Sequence, residues 1–179
     1  ATNAEEEASV VSRRPAPVVM DAQLRLRVLR RVAEVGDLET LRELYENHGG
    51  GAAWPDDVTL LAAKNGHLEC LEYAHEHGAP WHAMVTTEAA FAGEPECLAY
   101  AHENGAPWFG TETAAAASQG HISCLRYAHE HGAPWDSATS LFASPCCECT
   151  EYCKAHDPAL VPGGACGCPG QGCTVHQRR

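Results

Sequence analysis

The stretch Leu68–Trp81 reads LECLEYAHEHGAPW. It returns as PECLAYAHENGAPW at Pro95–Trp108 and as ISCLRYAHEHGAPW at Ile122–Trp135. Trp54, Trp81, Trp108 and Trp135 are each separated by 27 residues, which defines three whole units at 54–80, 81–107 and 108–134. Other positions keep the same register: Thr59, Thr86 and Thr113; paired alanines at 62–63, 89–90 and 116–117; Gly66, Gly93 and Gly120; Cys70, Cys97 and Cys124. A fixed period of this size is the signature of stacked supersecondary units, none of which can bury its apolar face alone.

Each unit reads as two short helices. In the first, such as VTLLAAKN over Val58–Asn65, small residues stand where a neighbouring helix would approach closely, and Gly66 ends it. In the second, Leu68, Leu71 and Ala74, with Cys70, form an amphipathic stripe, Gly78 stops the helix and Pro80 prevents its continuation. Helices this short are marginal by themselves, so stacking must supply their stability.

The pattern extends beyond the clean units. GDLETLRELYENHGG from Gly36 matches the second half of a unit with a few extra loop residues. Trp135 opens an irregular last unit, in which Tyr152 takes the tyrosine position if two residues are lost near Pro145. Ahead of Gly36, Asp21 is placed to cap a helix AQLRLRVLRRVAEV that turns Leu24, Val28 and Val32 to the stack and carries Arg25, Arg27, Arg30 and Arg31. The expected organisation is an extended arm at 1–20, a repeat array at 21–157 and a Cys/Gly/Pro-rich coil at 158–179. The array divides into units of about 21–53, 54–80, 81–107, 108–134 and 135–157. The fold class is all-α, an α-solenoid of about five stacked helix-turn-helix repeats.

AAKNGHLECLEYAHEHGA resembles the ankyrin-repeat pattern, in which Ala-Ala and Gly-His-Leu-Glu lead through an apolar helix to Glu-His-Gly-Ala. It is most similar to the short-period arrays whose units end in Pro-Trp, common among protist, algal and giant-virus proteins. The resemblance covers roughly residues 21–157. The period of 27 is shorter than the roughly 33 usual for the family, and it leaves no residues for long β-hairpin fingers. The resemblance implies a stack of helix pairs that binds other proteins.

Composition narrows the function classes. The chain has a net charge of −12, and it is uneven: residues 1–50 hold nine acids and seven arginines, whereas 51–179 hold fifteen acids and five bases. An acidic array disfavours nucleic acid and suits basic protein partners, or it is simply a solvated face that aids solubility. No apolar run approaches the ~20 residues of a membrane span. Ten cysteines would suit a disulfide-rich secreted chain, but the start, ATNAEEEASV, is polar and unlike a leader. Periodic cysteines in successive units would also stand too far apart to bridge. The expected location is an intracellular, reducing compartment: cytoplasm, nucleus, or an organelle after removal of a transit peptide.

The repeated chemistry-bearing residues have two readings each. Cys70, Cys97 and Cys124 lie on the apolar stripe, as packing residues or reactive thiols. His75, His102 and His129 form a ladder spaced too widely to share one ion, which leaves cross-unit hydrogen bonding or a solvated edge. His77 and His131 are placed to cap carbonyls. Trp81, Trp108 and Trp135 either roof the interface between units, each N–H on a loop carbonyl, or form an aromatic binding strip. Asp56 and Asp57 read as helix caps. There is no Gly-rich phosphate loop, no His-Glu-x-x-His and no elbow serine, so no enzyme is expected.

Chemistry concentrates where the repeat breaks. Cys146, Cys147, Cys149, Cys153, His156, Cys166, Cys168, Cys173 and His176 fall within 31 residues. Cys149, Cys153 and His156 stand at i, i+4 and i+7 of a helix, and Cys166, Cys168, Cys173 or His176 from the coil could complete a tetrahedral structural zinc site. Disulfides, redox-sensing thiols and inert cysteines are the other readings. The function expected from the sequence is a non-catalytic interaction scaffold or structural subunit of a larger protein complex, contacting its partner through the acidic repeats, the Pro-Trp junctions and the arginine helix. The alternative is a zinc-binding or thiol-redox regulatory module that the repeats present.

Overall fold

Glycine recurs at the ends of the described helices with positive φ, at Gly36, Gly66, Gly78, Gly93, Gly105, Gly120 and Gly132. The computed structural model describes residues 21–47, 53–135 and 147–156, and all regular structure among them is helical. The helices are α1 (Ala22–Val35), α2 (Leu38–Glu46), α3 (Val58–Lys64), α4 (Leu68–Glu76), α5 (Val85–Ala92), α6 (Pro95–Glu103), α7 (Glu112–Gln119), α8 (Ile122–Glu130) and α9 (Cys147–His156). None of the described helices is long and apolar enough to cross a membrane. The arm and the coil lie outside the described residues.

The helices pair within each unit, α1 with α2, α3 with α4, α5 with α6 and α7 with α8. Across units they form two rows. The first row packs α1 on α3, α3 on α5 and α5 on α7, and the second runs α2, α4, α6, α8, α9. The first-row contacts are the closer because alanines fill them: Ala62, Ala63, Ala89, Ala90, Ala116 and Ala117 are all fully buried. In the second row Leu41, Leu71, Leu98 and Leu125 fill the space between helices, with Cys70, Cys97 and Cys124 beside the last three. One continuous core results.

The turn inside each unit needs glycine twice over. Gly93 has φ +85°, and a Cβ there would stand 2.5 Å from the ring of His121 in the next unit. Gly36 relates to His67 in the same way, at φ +83°, while His67 Nε2 bonds Glu34 O at 3.1 Å. Backbone bonds of Schellman type close the other turn, Ala79 N to Ala74 O, Ala106 N to Ala101 O and Ala133 N to Ala128 O, each 2.9 Å.

Three local expectations are corrected. Leu24 is 48% exposed, and Leu29, at 1%, is the deep anchor of α1 with Val32 and a partly buried Val28. Asp21 stands before α1 without a side-chain capping bond. Asp57 does not cap α3 either; it is drawn instead to Arg30, at 2.7 Å.

Candidate interaction surface

The repeated cysteine, histidine and tryptophan are consumed by the junctions between units. Cys70, Cys97 and Cys124 are at most 1% exposed. Burial, helped by nearby glutamates, pushes their thiols up, Cys70 to about 11 and Cys97 and Cys124 to about 12. A thiol held protonated is a poor nucleophile and a poor metal ligand.

Three of the tryptophans lie flat on the ring two residues after the preceding tyrosine position. Trp81 stacks on His75 at 4.4 Å and Trp108 on His102 at 4.3 Å, while Trp135 meets His129 at 4.5 Å but tilted by 52°. In the first unit Tyr45 occupies the histidine position, and Trp54 stacks on it at 4.6 Å. The indole N–H then reaches the carbonyl closing the next second-row helix: Trp54 to His77 O (2.9 Å), Trp81 to Asn104 O (3.0 Å) and Trp108 to His131 O (3.2 Å). The buried N–H of Trp135 has no hydrogen-bond partner among the described residues.

The histidines also tie neighbouring units. His75 Nδ1 meets Tyr100 Oη at 3.1 Å, and His129 Nδ1 meets Tyr152 Oη at 3.0 Å. Tyr45 has no ring nitrogen to offer, and among the described residues the buried hydroxyl of Tyr73 has no partner. A fourth tie comes from threonine, which donates from each first-row helix to the proline carbonyl ahead of the next tryptophan. Thr59 bonds Pro80 O (3.1 Å), Thr86 bonds Pro107 O (3.1 Å) and Thr113 bonds Pro134 O (2.7 Å). The threonine register was visible in the sequence, but its hydroxyl role depends on how the start of a unit meets its own end.

Helix α9 repeats the same scheme. Cys149 precedes Tyr152 by three residues, as Cys124 precedes Tyr127, and it is fully buried. Cys153 stands at the position of Ala74, Ala101 and Ala128, also buried, with its thiol pushed up by desolvation. His156 is exposed, and its Nδ1 bonds Tyr152 O at 2.9 Å, as His77 bonds Tyr73 O and His131 bonds Tyr127 O, both at 2.8 Å. The three candidate ligands on α9 thus occupy the packing and capping positions of the repeat. Among the described residues no three His, Cys, Asp or Glu are grouped so as to hold a metal ion. Cys166, Cys168, Cys173 and His176 lie outside the described residues.

Charge divides between the two rows. First-row charges are largely paired: Arg30 with Asp57 (2.7 Å), Arg31 with Glu34 (2.8 Å) and Lys64 with Glu88 (3.3 Å). Arg25 donates to Ala53 O at 3.1 Å, and Arg27 is exposed on the same helix. The second row is acidic. Exposed carboxylates stand at Glu39, Glu43 and Glu46 on α2, Glu69 and Glu76 on α4, Glu96 and Glu103 on α6, Glu130 on α8 and Glu148 and Glu151 on α9. Its arginines do little to offset them, since Arg42 lies over the Tyr73 ring at 5.4 Å and Arg126 over Tyr152 at 5.9 Å. A row of like charge on helices fixed by a continuous core sets up a negative potential along that face. The residues missed by sequence reasoning are Tyr45, which stands at the histidine position counted from Gly36 but is not a histidine, and Glu112, discussed below.

Neither family models nor curated proteins yield a match to this chain.

Proposed function

We propose that the chain is an α-solenoid of ankyrin-like repeats acting as a non-catalytic protein–protein interaction scaffold, or as a structural subunit of a larger complex. The observation that carries this reading is the fate of the chemistry-bearing side chains. Cysteine, histidine, tryptophan and threonine of each unit are occupied with core packing and with ties within and between units. What the repeats offer outward is shape and charge, above all the carboxylates of the second row. A partner recognised by that row carries lysines and arginines at a spacing matched to successive units.

The experiment is purification of the tagged chain from its native source at about 50 mM and about 500 mM salt, since screening lengths shorten severalfold over that range. The expected result is a stoichiometric basic protein retained at low salt and lost at high salt. The same partner should be lost at low salt when Glu69, Glu76, Glu96 and Glu103 are replaced by lysine, with melting unchanged. A chain that emerges alone, or a partner that ignores those four replacements, contradicts the reading.

A further inference from the structure

The three junctions differ at the position after tryptophan, which is Pro55 before α3, His82 before α5 and Phe109 before α7. At the junction before α5, the backbone N–H of His82 donates to Thr59 Oγ1 and that of Met84 donates to His82 Nδ1, both at 3.2 Å. In the next unit, 27 residues on, phenylalanine replaces that histidine at position 109. Its ring accepts no such hydrogen bond, and it is 55% exposed. In the same unit Glu112 replaces the valine seen at Val58 and Val85, both fully buried.

Glu112 is itself fully buried, at the first position of α7, where the helix dipole favours a negative group. Its Oε1 accepts from Phe109 N at 2.6 Å, Thr86 Oγ1 at 2.8 Å and Thr87 Oγ1 at 3.1 Å, and its Oε2 accepts from Gly110 N at 2.9 Å. Thr86 has one hydroxyl hydrogen, which it shares between Glu112 and Pro107 O. Burying a carboxylate where valine fits gains nothing in packing, and such exchanges to an apolar residue are commonly neutral or stabilising. The charge therefore answers a need of the loop.

We propose that Phe109 and Glu112 are one device, a braced junction that holds an exposed aromatic ring at a fixed place on the array. Phenylalanine cannot offer the acceptor that His82 gives to Met84 N, and Glu112 ties down a different pair of loop amides, those of Phe109 and Gly110, from inside the core. The ring is thereby presented on a loop whose amides are tied down, which limits the ordering entropy that any contact through it would lose. The device stands whether or not the array is a scaffold.

Deuterium exchange of the full chain over Phe109–Thr111, read with melting, tests it on Glu112→Val, Glu112→Gln and Phe109→His/Glu112→Val. Glu112→Val installs the residue of the two preceding units, so its melting temperature is expected within a few degrees of the parent, while exchange in the loop rises about tenfold as its acceptor is lost. Glu112→Gln, whose amide cannot accept at both oxygens, should show the same rise. Adding Phe109→His, which rebuilds the neighbouring junction, should return exchange toward the parent value. Unchanged loop exchange in the single variants would overturn the proposal. So would a double variant that stays fast, or a collapse of melting in Glu112→Val that Phe109→His leaves unrepaired.

Discussion

Cys97 shows how a residue's chemistry is set by its neighbours. Its thiol sits at 1% exposure with glutamates near it, and the two effects together push its pKa to about 12. The group is neutral when protonated, so a pKa raised above the ordinary 9.0 makes its contribution to folding complete below pH 9. That contribution is lost as pH climbs toward the folded value. Cys70, at about 11, and Cys124, at about 12, act in the same direction. Melting temperature is therefore expected to fall steeply between about pH 9 and pH 11. The tyrosines, whose pKa values are also raised by burial, add to the fall. The variant with alanine at all three cysteines isolates their share: its alkaline fall should be shallower than the parent's, and an identical slope would remove the thiols from the account.

At the scale of the element, α9 is where the sequence was hardest to read. Its Cys149, Cys153 and His156 carry the spacing of metal ligands, yet each falls on a position the repeat had already assigned to packing or capping. The clue was available: placing Tyr152 in register puts Cys149 with Cys124. Helices α3 to α8 were legible because glycine, proline and the apolar stripe recur at one period and the same physics acts three times over. Tyr45 was not, since a tyrosine there, with glutamate at the tyrosine position of the later units, breaks the Tyr-x-His pattern although the register from Gly36 places it opposite His75. The structural zinc site proposed from the sequence would have to draw on Cys166, Cys168, Cys173 and His176 rather than on the core cysteines. Zinc measured in the purified full chain by emission spectrometry should be unchanged by Cys149→Ala and should drop in the Cys166→Ser/Cys168→Ser/Cys173→Ser variant. Loss of zinc on Cys149→Ala would return that cysteine to the ligand set.

For the whole molecule, stacking means that stability is shared between nearest neighbours. The ring contact, Trp108 on His102, links one unit to the next, while the indole N–H on His131 O and Thr113 on Pro134 O close the unit that Trp108 opens. The period made this architecture legible, whereas the division of charge between rows was not, because it depends on which helix face each unit leaves outside. The central claim is that Trp108 and its counterparts are ties between units. Hydrogen exchange resolved along the chain of Trp108→Ala tests it most directly. Truncating a tryptophan of this kind costs about 3 kcal/mol, which corresponds to more than a hundredfold faster opening. The account predicts that this loss falls on α6 and α8, which the Trp108 junction joins, while α2 and α4 keep most of their protection. Loss confined to the residues beside Trp108, or spread evenly over every helix, would contradict it.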